Sequence, residues 1–489
     1  MKTRNLWILA GIFLAVLCLR LVLAFRTPYF EFDSYGALRQ VTAIEETWRP
    51  LRIDNLGYGG RELSPQPFYD YILAFGKKAT PLALKILPNL FISLLVIIAF
   101  VTARRVTKND EAALIAAFAA GFVPMVFQTT IYSLSPLALA TPLLFLCLYF
   151  FIDIDKEHAL INYLLCFLIL ALISPLVFVL VIGLLLYLFI AKLERFPTGR
   201  AEVEVALFST FFSLWLQFVI HKKPILHHGL NMIWQNVPKS LLGEMFFNLS
   251  FLDSINRIGL LPFLCGLFIV YRYLFKEKNR VMHLFISLAL SLGVLLTLKL
   301  MPLMIGLCIL GVLLTLLFAV FLDQFFGFIE KTKVRQYHLL FFIGIISLFI
   351  ISSVLPALLL ADRQLAGSVP GPDEIAAMSW LKANAKGAVA APLNSGFLIE
   401  AVAERPTIAD RDFLMAPDVQ QRLSDIDKTF TTPHKTDALA LLEKYGASYL
   451  YAPPDMVLKD TITASDCFQL VFDRGAMIYK ATCRLGASP

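Results

Sequence analysis

Residues Phe30-Glu31-Phe32-Asp33-Ser34-Tyr35-Gly36-Ala37-Leu38-Arg39 follow directly on a strongly apolar opening segment and set an acid six positions ahead of a base. A carboxylate such as Asp33 can bind a divalent cation through hard oxygens or take a proton from a hydroxyl. The polar run continues through Glu45, Glu46, Asp54, Arg61, Glu62 and Asp70, with turns at Tyr58-Gly59-Gly60 and Ser64-Pro65-Gln66-Pro67. Loops much longer than about 15 residues are usually functional. Asp33 is therefore the candidate catalytic group, and Asp54, Glu62 and Asp70 are candidate accessory acids. For each accessory acid the plain alternative is a solvated loop charge.

A second polar stretch, 222–256, adds Glu244 as another candidate acid, with Lys222, Lys223 and Arg257 as cations that could draw an anionic headgroup. His227 and His228 are adjacent and lack the spacing and third ligand of a metal site. Asn248-Leu249-Ser250 is a glycosylation sequon.

The elements that must position these groups are read from composition. The 489-residue chain is 58% hydrophobic and 16% charged, with mean hydropathy +0.72. Soluble domains carry about 25% charge, so the bulk of this chain belongs in lipid. The net charge of +7 is scattered over short loops and does not form a nucleic-acid surface. A membrane helix needs about 20 apolar residues. Candidate spans are 5–25, 82–103, 111–128, 134–152, 158–173, 175–194, 202–221, 257–275, 281–299, 302–324 and 338–361, about eleven in all. The first lacks a small-x-small cleavage site and reads as a retained span.

Basic residues fall in alternate loops: Lys2 and Arg4; Arg104, Arg105 and Lys108; Lys192, Arg195 and Arg200; Lys276, Lys278 and Arg280; Lys331, Lys333 and Arg335. The positive-inside rule makes that side cytoplasmic. Segment 26–81, loop 222–256 and everything after 361 then face outward from a multi-pass protein of the plasma membrane, and the N-terminus faces the cytoplasm.

The expected division is a transmembrane domain, 1–361, carrying the long outward loop 26–81, and a soluble extracytoplasmic α/β domain, 362–489. Gly367-Ser368-Val369-Pro370-Gly371-Pro372 reads as a linker, and Pro372-Asp373-Glu374 opens a helix with proline and acids in its first turn. Five of the seven cysteines lie in apolar runs. Cys467 and Cys483 flank two strand-like runs, 468–472 and 477–480, joined by Asp473-Arg474-Gly475-Ala476. A hairpin there would bring the two sulfurs near one another, and an end outside the cytoplasm permits a disulfide.

Asp33-Ser34-Tyr35-Gly36-Ala37-Leu38-Arg39 resembles the element after the first span of the oligosaccharyltransferase catalytic subunit, a family of GT-C fold glycosyltransferases. Ser64-Pro65-Gln66-Pro67-Phe68-Tyr69-Asp70-Tyr71 is similar to the family's proline-rich lead-in to the next helix. Further likeness lies in Met378-Ser379-Trp380-Leu381-Lys382-Ala383-Asn384, Gly396-Phe397-Leu398-Ile399, Arg405-Pro406-Thr407-Ile408-Ala409-Asp410 and Lys444-Tyr445-Gly446-Ala447-Ser448-Tyr449-Leu450. Two departures stand out. Pro392-Leu393-Asn394-Ser395-Gly396 lacks the family's acceptor-binding Trp-Trp-Asp element, and Ile131-Tyr132-Ser133-Leu134-Ser135-Pro136 lacks its second-loop acidic pair. Neutral serines cannot replace carboxylates as hard metal ligands.

The resemblance implies a membrane glycosyltransferase that takes a sugar or glycan from a polyprenyl-phosphate-linked donor on the outer face. Asp33 would be base or metal ligand, with Mn or Mg as the candidate ion. Arg39 and Lys299 would meet the lipid phosphate, and the acceptor would be a glycan, lipid or protein. The alternative from another class is a non-catalytic GT-C-like subunit that binds lipid-linked glycan or a partner enzyme.

Overall fold

The computed structural model describes residues 3–246 and 249–485, apart from the side chains of Leu230, Glu244 and Met245. Among the described residues, seven helices are long and apolar enough to cross a membrane. There are eight if Phe251–Ile258 and Leu260–Phe275, bent by 96° at the intervening glycine, form one span. Of four shorter apolar helices, the three in the first unit, Leu137–Phe151, Glu157–Ile173 and Val177–Leu193, bring the tally close to the number read from composition. The chain is a polytopic α-helical membrane protein. It divides into two compact units, one of residues 1–28, 79–220 and 242–367 and the other of 29–78, 221–241 and 368–489.

In the first unit, helix Ala83–Thr107 lies against Thr3–Ala24, Asp110–Gly121 and Leu137–Phe151. Buried alanines at 112, 113, 116, 117, 119 and 120 let helices approach closely, as small residues do where lipid supplies no hydrophobic drive. One cation is built into this packing. Arg20, fully buried, donates to Asn89 at 3.1 Å and to Thr130 at 2.5 Å and lies over the Phe127 ring at 4.9 Å. The helices on either side of Ser174-Pro175 are separate. Ser174 is extended (φ −156°, ψ 143°), as the residue before a proline prefers, and its hydroxyl accepts from Leu176 N.

The second unit is built on a four-stranded sheet. Strand β1 (Ile53–Asp54) and β2 (Arg61–Glu62) form a separate small hairpin; β3 (Ala388–Ala390), β4 (Ala447–Ala452), β5 (Phe468–Arg474) and β6 (Ala476–Ala481) order as β3-β4-β6-β5. β3 runs parallel to β4 and the other pairs are antiparallel. Helix Pro372–Asn384 starts with its proline in the first turn, and the Glu374 carboxylate accepts from Gly371 N at 2.8 Å. Gly367 and Ser368, expected in a linker, instead end helix Leu355–Ser368. Nothing before Pro370 breaks the helix, and a proline disfavours helical geometry only in the residue just before it. The Cys467 and Cys483 sulfurs are bonded.

Helix Ser34–Thr47 belongs to this unit. Its Tyr35 is buried in the core with Met378, Leu381, Leu398, Ile399, Tyr449, Tyr451 and Ile478, and Phe32 and Leu38 pack on the same cluster. Tyr35 and Leu38 are three positions apart and so share one helix face. The rest of the motif is positioned by that anchorage.

Candidate functional site

Asp33 occupies the position immediately before helix Ser34–Thr47, where an aspartate ordinarily caps the first turn. Here its side chain makes no cap. One carboxylate oxygen instead accepts from Arg411 Nη1 at 3.1 Å, and the two side chains are 53% and 34% exposed. This is an open acid–base pair at the rim of the unit.

Arg39, one and a half turns further along, points the other way. Its guanidinium grips Asp54 with two bonds, 2.6 and 3.1 Å, and donates to Glu400 at 2.6 Å. Arg61 continues the network, with Nη2 2.5 Å from Asp410 and 3.3 Å from Asp54, while Nη1 donates to the Asp412 carbonyl. The Glu400 carboxylate also accepts from Thr407 at 2.6 Å. The Tyr58 hydroxyl donates to the Asp410 carbonyl at 2.6 Å, and Arg61 lies over the Tyr58 ring. Three buried carboxylates thus face two guanidiniums.

Local sequence explains how such groups fit. Asp54 ends β1 and folds back to accept from Leu56 N and Gly57 N, the turn an aspartate makes with backbone two residues on. A Cβ on Gly57 would stand 2.6 Å from an Asp410 oxygen and 2.9 Å from an Asp54 oxygen. Only hydrogen leaves room for both. Gly396 does the same for the loop opposite, since a Cβ there would meet Ala409 O at 2.6 Å and Asp410 Cβ at 2.8 Å. Glu400 sits on the wide helical turn Ile399–Ala403. Segment 406–407 is held from both sides, by Val389 N on Pro406 O and by Thr407 N on Leu56 O, each 2.8 Å.

Electrostatics follow from burial. Burial pushes the Asp54 carboxyl up, but the Arg39 hydrogen bonds and charge outweigh it and hold Asp54 below the ordinary range. Glu400 is pushed well up, first by burial and then by the neighbouring Asp410 carboxylate. Asp410 is also raised, by burial against the pull of Arg61. Two cations face three carboxylates, and the upward shifts of Glu400 and Asp410 favour their neutral forms.

This arrangement mounts the rim. Arg411 lies between Asp410, whose carboxylate Arg61 holds, and Asp412, whose carbonyl Arg61 holds. The buried network therefore fixes the backbone on both sides of the residue that meets Asp33.

Asp54, Glu400 and Asp410 each present an oxygen within 4.8 Å of the others, a hard-oxygen set that could hold a metal ion. Asp33 is not in this set. The faces of these carboxylates already carry the Arg39 and Arg61 guanidiniums, so an ion of that size and charge does not fit without displacing one of them.

The other candidates fall elsewhere. Arg39, expected to meet a lipid phosphate, is committed to two buried carboxylates and is 15% exposed. Glu62 is exposed and paired with Lys223 at 2.7 Å. Asp70 is half-buried in helix Phe68–Ala79, and burial pushes its carboxyl up to about 7. Lys299 belongs to the first unit and follows helix Arg280–Thr297 in the left-handed conformation (φ 56°). The Glu244 side chain and Asn248 lie outside the described residues. Ser133 and Ser135 serve local turns, accepting from Ser135 N and Leu137 N. Glu400 and Arg411 were not singled out from sequence. An acid inside Phe397-Leu398-Ile399-Glu400-Ala401-Val402 was the available signal for the first; Arg411 carried none.

No family model matches the chain, and no curated protein sequence matches it. Solved structures do. The oligosaccharyltransferase AglB from Archaeoglobus fulgidus, in complex with an inhibitory peptide and a dolichol-phosphate, is 14% identical with TM-score 0.68, covering 93% of this chain and 70% of that one. ArnT from Cupriavidus metallidurans bound to undecaprenyl phosphate is 13% identical with TM-score 0.61, over the full length of both chains. Arabinofuranosyltransferase AftD from Mycobacteria is 15% identical with TM-score 0.55, covering 96% of this chain and 40% of that one. At such identities the shared feature is the fold, and the chain has the GT-C fold.

Proposed function

We propose that this chain is a membrane glycosyltransferase which transfers a sugar, with inversion, from a polyprenyl-phosphate-linked donor to an acceptor hydroxyl on the outer face of the plasma membrane. The observation that carries this reading is the rim pair: a half-exposed Asp33 that caps nothing and meets Arg411 at 3.1 Å, on the GT-C fold. The lipid phosphates bound by the Archaeoglobus and Cupriavidus proteins support a phosphate-bearing lipid as donor carrier. The basic loops of the first unit support a cytoplasmic N-terminus and an outward second unit.

In this reading Asp33 takes the proton of the acceptor hydroxyl as its oxygen bonds to the anomeric carbon. The bond from that carbon to the phosphate oxygen breaks, and polyprenyl phosphate leaves with the electron pair. A placed carboxylate contributes about 10²–10⁴-fold. Arg411 orients Asp33 and has further N–H donors for a phosphate oxygen. No step runs through a metal at Asp54, Glu400 and Asp410, because the Arg39 and Arg61 guanidiniums already occupy the faces of those carboxylates. Lacking a Trp-Trp-Asp element at 392–396, the chain would take an acceptor other than a peptide sequon.

The second reading, a non-catalytic subunit, draws on Ser133 and Ser135, whose hydroxyls close turns where the resembled family has acids. The experiment that separates the two uses purified protein in vesicles with lipid-linked sugars extracted from its own source membranes. Release of polyprenyl phosphate by the wild type and its loss in Asp33→Asn supports the enzyme. Equal release by both, or none by either while the lipid still binds, overturns it in favour of the subunit.

A further inference from the structure

Where helix Val177–Leu193 ends and helix Arg200–Ile220 begins, the first unit has a cleft of about 510 Å³ lined by Leu188, Lys192, Arg195, Phe196, Pro197, Thr198 and Val203. We propose that this cleft binds an anionic phospholipid of the bilayer, with Lys192 and Arg195 on the headgroup phosphate and the apolar wall against the adjoining acyl chain.

Three observations carry the proposal. First, the helix end is fixed. Phe196 N donates to Ala191 O at 2.8 Å and Arg195 N to Lys192 O at 3.4 Å, the paired closure of a helix whose next residue turns left-handed. Arg195 takes that conformation, φ 58°, and Lys192 stands one turn before it on the same cleft.

Second, two of the neighbouring acids are spent, while a third, Asp155, is exposed and lies against Gly199. Glu194 pairs with Lys278 at 2.7 Å, and Glu202 pairs with Arg280 and accepts from Gly199 N and the Tyr187 hydroxyl. Among the described residues, no carboxylate lies within ion-pair reach of Lys192 or Arg195. Two cations flanking one apolar cleft are complementary to a monoanionic headgroup, and cations beside a bilayer each contribute measurably to anionic lipid binding.

Third, the surface leading away from the cleft is greasy. Phe189, Leu193, Leu207 and Phe211 are 61%, 65%, 57% and 71% exposed. On a membrane helix such a surface faces acyl chains. A free phosphate would use the cations and leave this apolar path unused; a phospholipid uses both.

The test reads phospholipids retained by the full-length chain after purification from nanodiscs of phosphatidylcholine containing a minority of phosphatidylglycerol, counted by native mass spectrometry. The wild type is expected to keep one more phosphatidylglycerol than the double variant Lys192→Gln/Arg195→Gln, whose affinity falls about 30-fold. Val203→Trp, which fills the cleft and leaves both charges, is expected to lose the same lipid. Lys331→Gln/Lys333→Gln, altering a basic loop elsewhere, is expected to keep it, and size exclusion checks that each variant is folded. Equal retention by wild type and the double variant overturns the proposal, as does equal loss in the Lys331/Lys333 control. Binding of inorganic phosphate that displaces the retained lipid and is indifferent to Val203→Trp also overturns it, in favour of a free-anion site.

Discussion

Asp33 and Arg411 are separated by 378 positions in the chain and by 3.1 Å in the folded protein. The contact is open to solvent on one side and rests on a buried ion network on the other. The two layers make different physical demands, so they predict different responses to mutation.

Asp33→Asn should lower transfer by about 10²–10⁴-fold, the usual contribution of a placed general base. Exposed ion pairs contribute at most about 1 kcal/mol to stability, so the melting temperature should barely move. Arg411→Gln should cost about 10–100-fold, the value of a hydrogen bond to a charged partner. Turnover measured beside thermal unfolding checks both, and a collapse in stability would return the pair to a structural role.

Arg61→Met should act in reverse. It strips the cation from two buried carboxylates, and breaking a buried pair from one side costs about 3–5 kcal/mol. The expected result is a large drop in the unfolding midpoint of the second unit, with activity lost through the misplaced Arg411 loop. Unfolding with and without lipid-linked donor measures it, and a midpoint within about 1 kcal/mol of wild type would contradict the arrangement.

Asp70 supplies a pH test. Its carboxyl is raised to about 7 by burial, from an ordinary value of 3.8. At a pH below 3.8 both folded and unfolded chains hold the proton, and its stabilising effect is complete. As pH rises towards 7 the unfolded chain releases the proton first, and stability declines; past 7 the loss is full. Asp70→Asn should therefore melt about 3 °C above wild type in mildly alkaline buffer, and the gap should close in acid. A constant gap would rule out titration of Asp70 as the cause.

Millimolar Mn²⁺ or Mg²⁺ should leave the melting temperature of the wild type unchanged, because the guanidiniums of Arg39 and Arg61 occupy the carboxylate faces. Arg39→Gln removes one of them, and the same titration should then stabilise the variant. A metal-dependent rise in the wild type that Asp54→Asn abolishes would show that an ion displaces arginine.

What could be read in advance divides along a physical line. Composition alone announces the spans, because long apolar helices such as Leu303–Glu330 carry almost no charge. Asp33, Arg39 and Asp54 stood out because they crowd one polar stretch beside an apolar one. Their roles did not. Arg39 looked available for a phosphate because one of its two partners, Glu400, lies 361 positions away, and no local pattern encodes that distance. Arg411 sits in Asp410-Arg411-Asp412, a trio indistinguishable from an ordinary surface turn. The hairpin at the C-terminal end was readable from its alternation. Its strands run closer to Gly475 than expected, with Arg474 already paired to Ala476.

The bonds from Arg39 to Glu400 and from Arg61 to Asp410 span 361 and 349 positions, which imposes an order on biosynthesis. While the ribosome is still making the membrane helices, both arginines and Asp54 have been translated but Glu400 and Asp410 have not. The rim pair can assemble only after Asp410 and Arg411 have been synthesised. A chain terminated before residue 400 would therefore leave Arg39 and Arg61 with Asp54 but without Glu400 and Asp410, a charge imbalance exposed to cellular quality control.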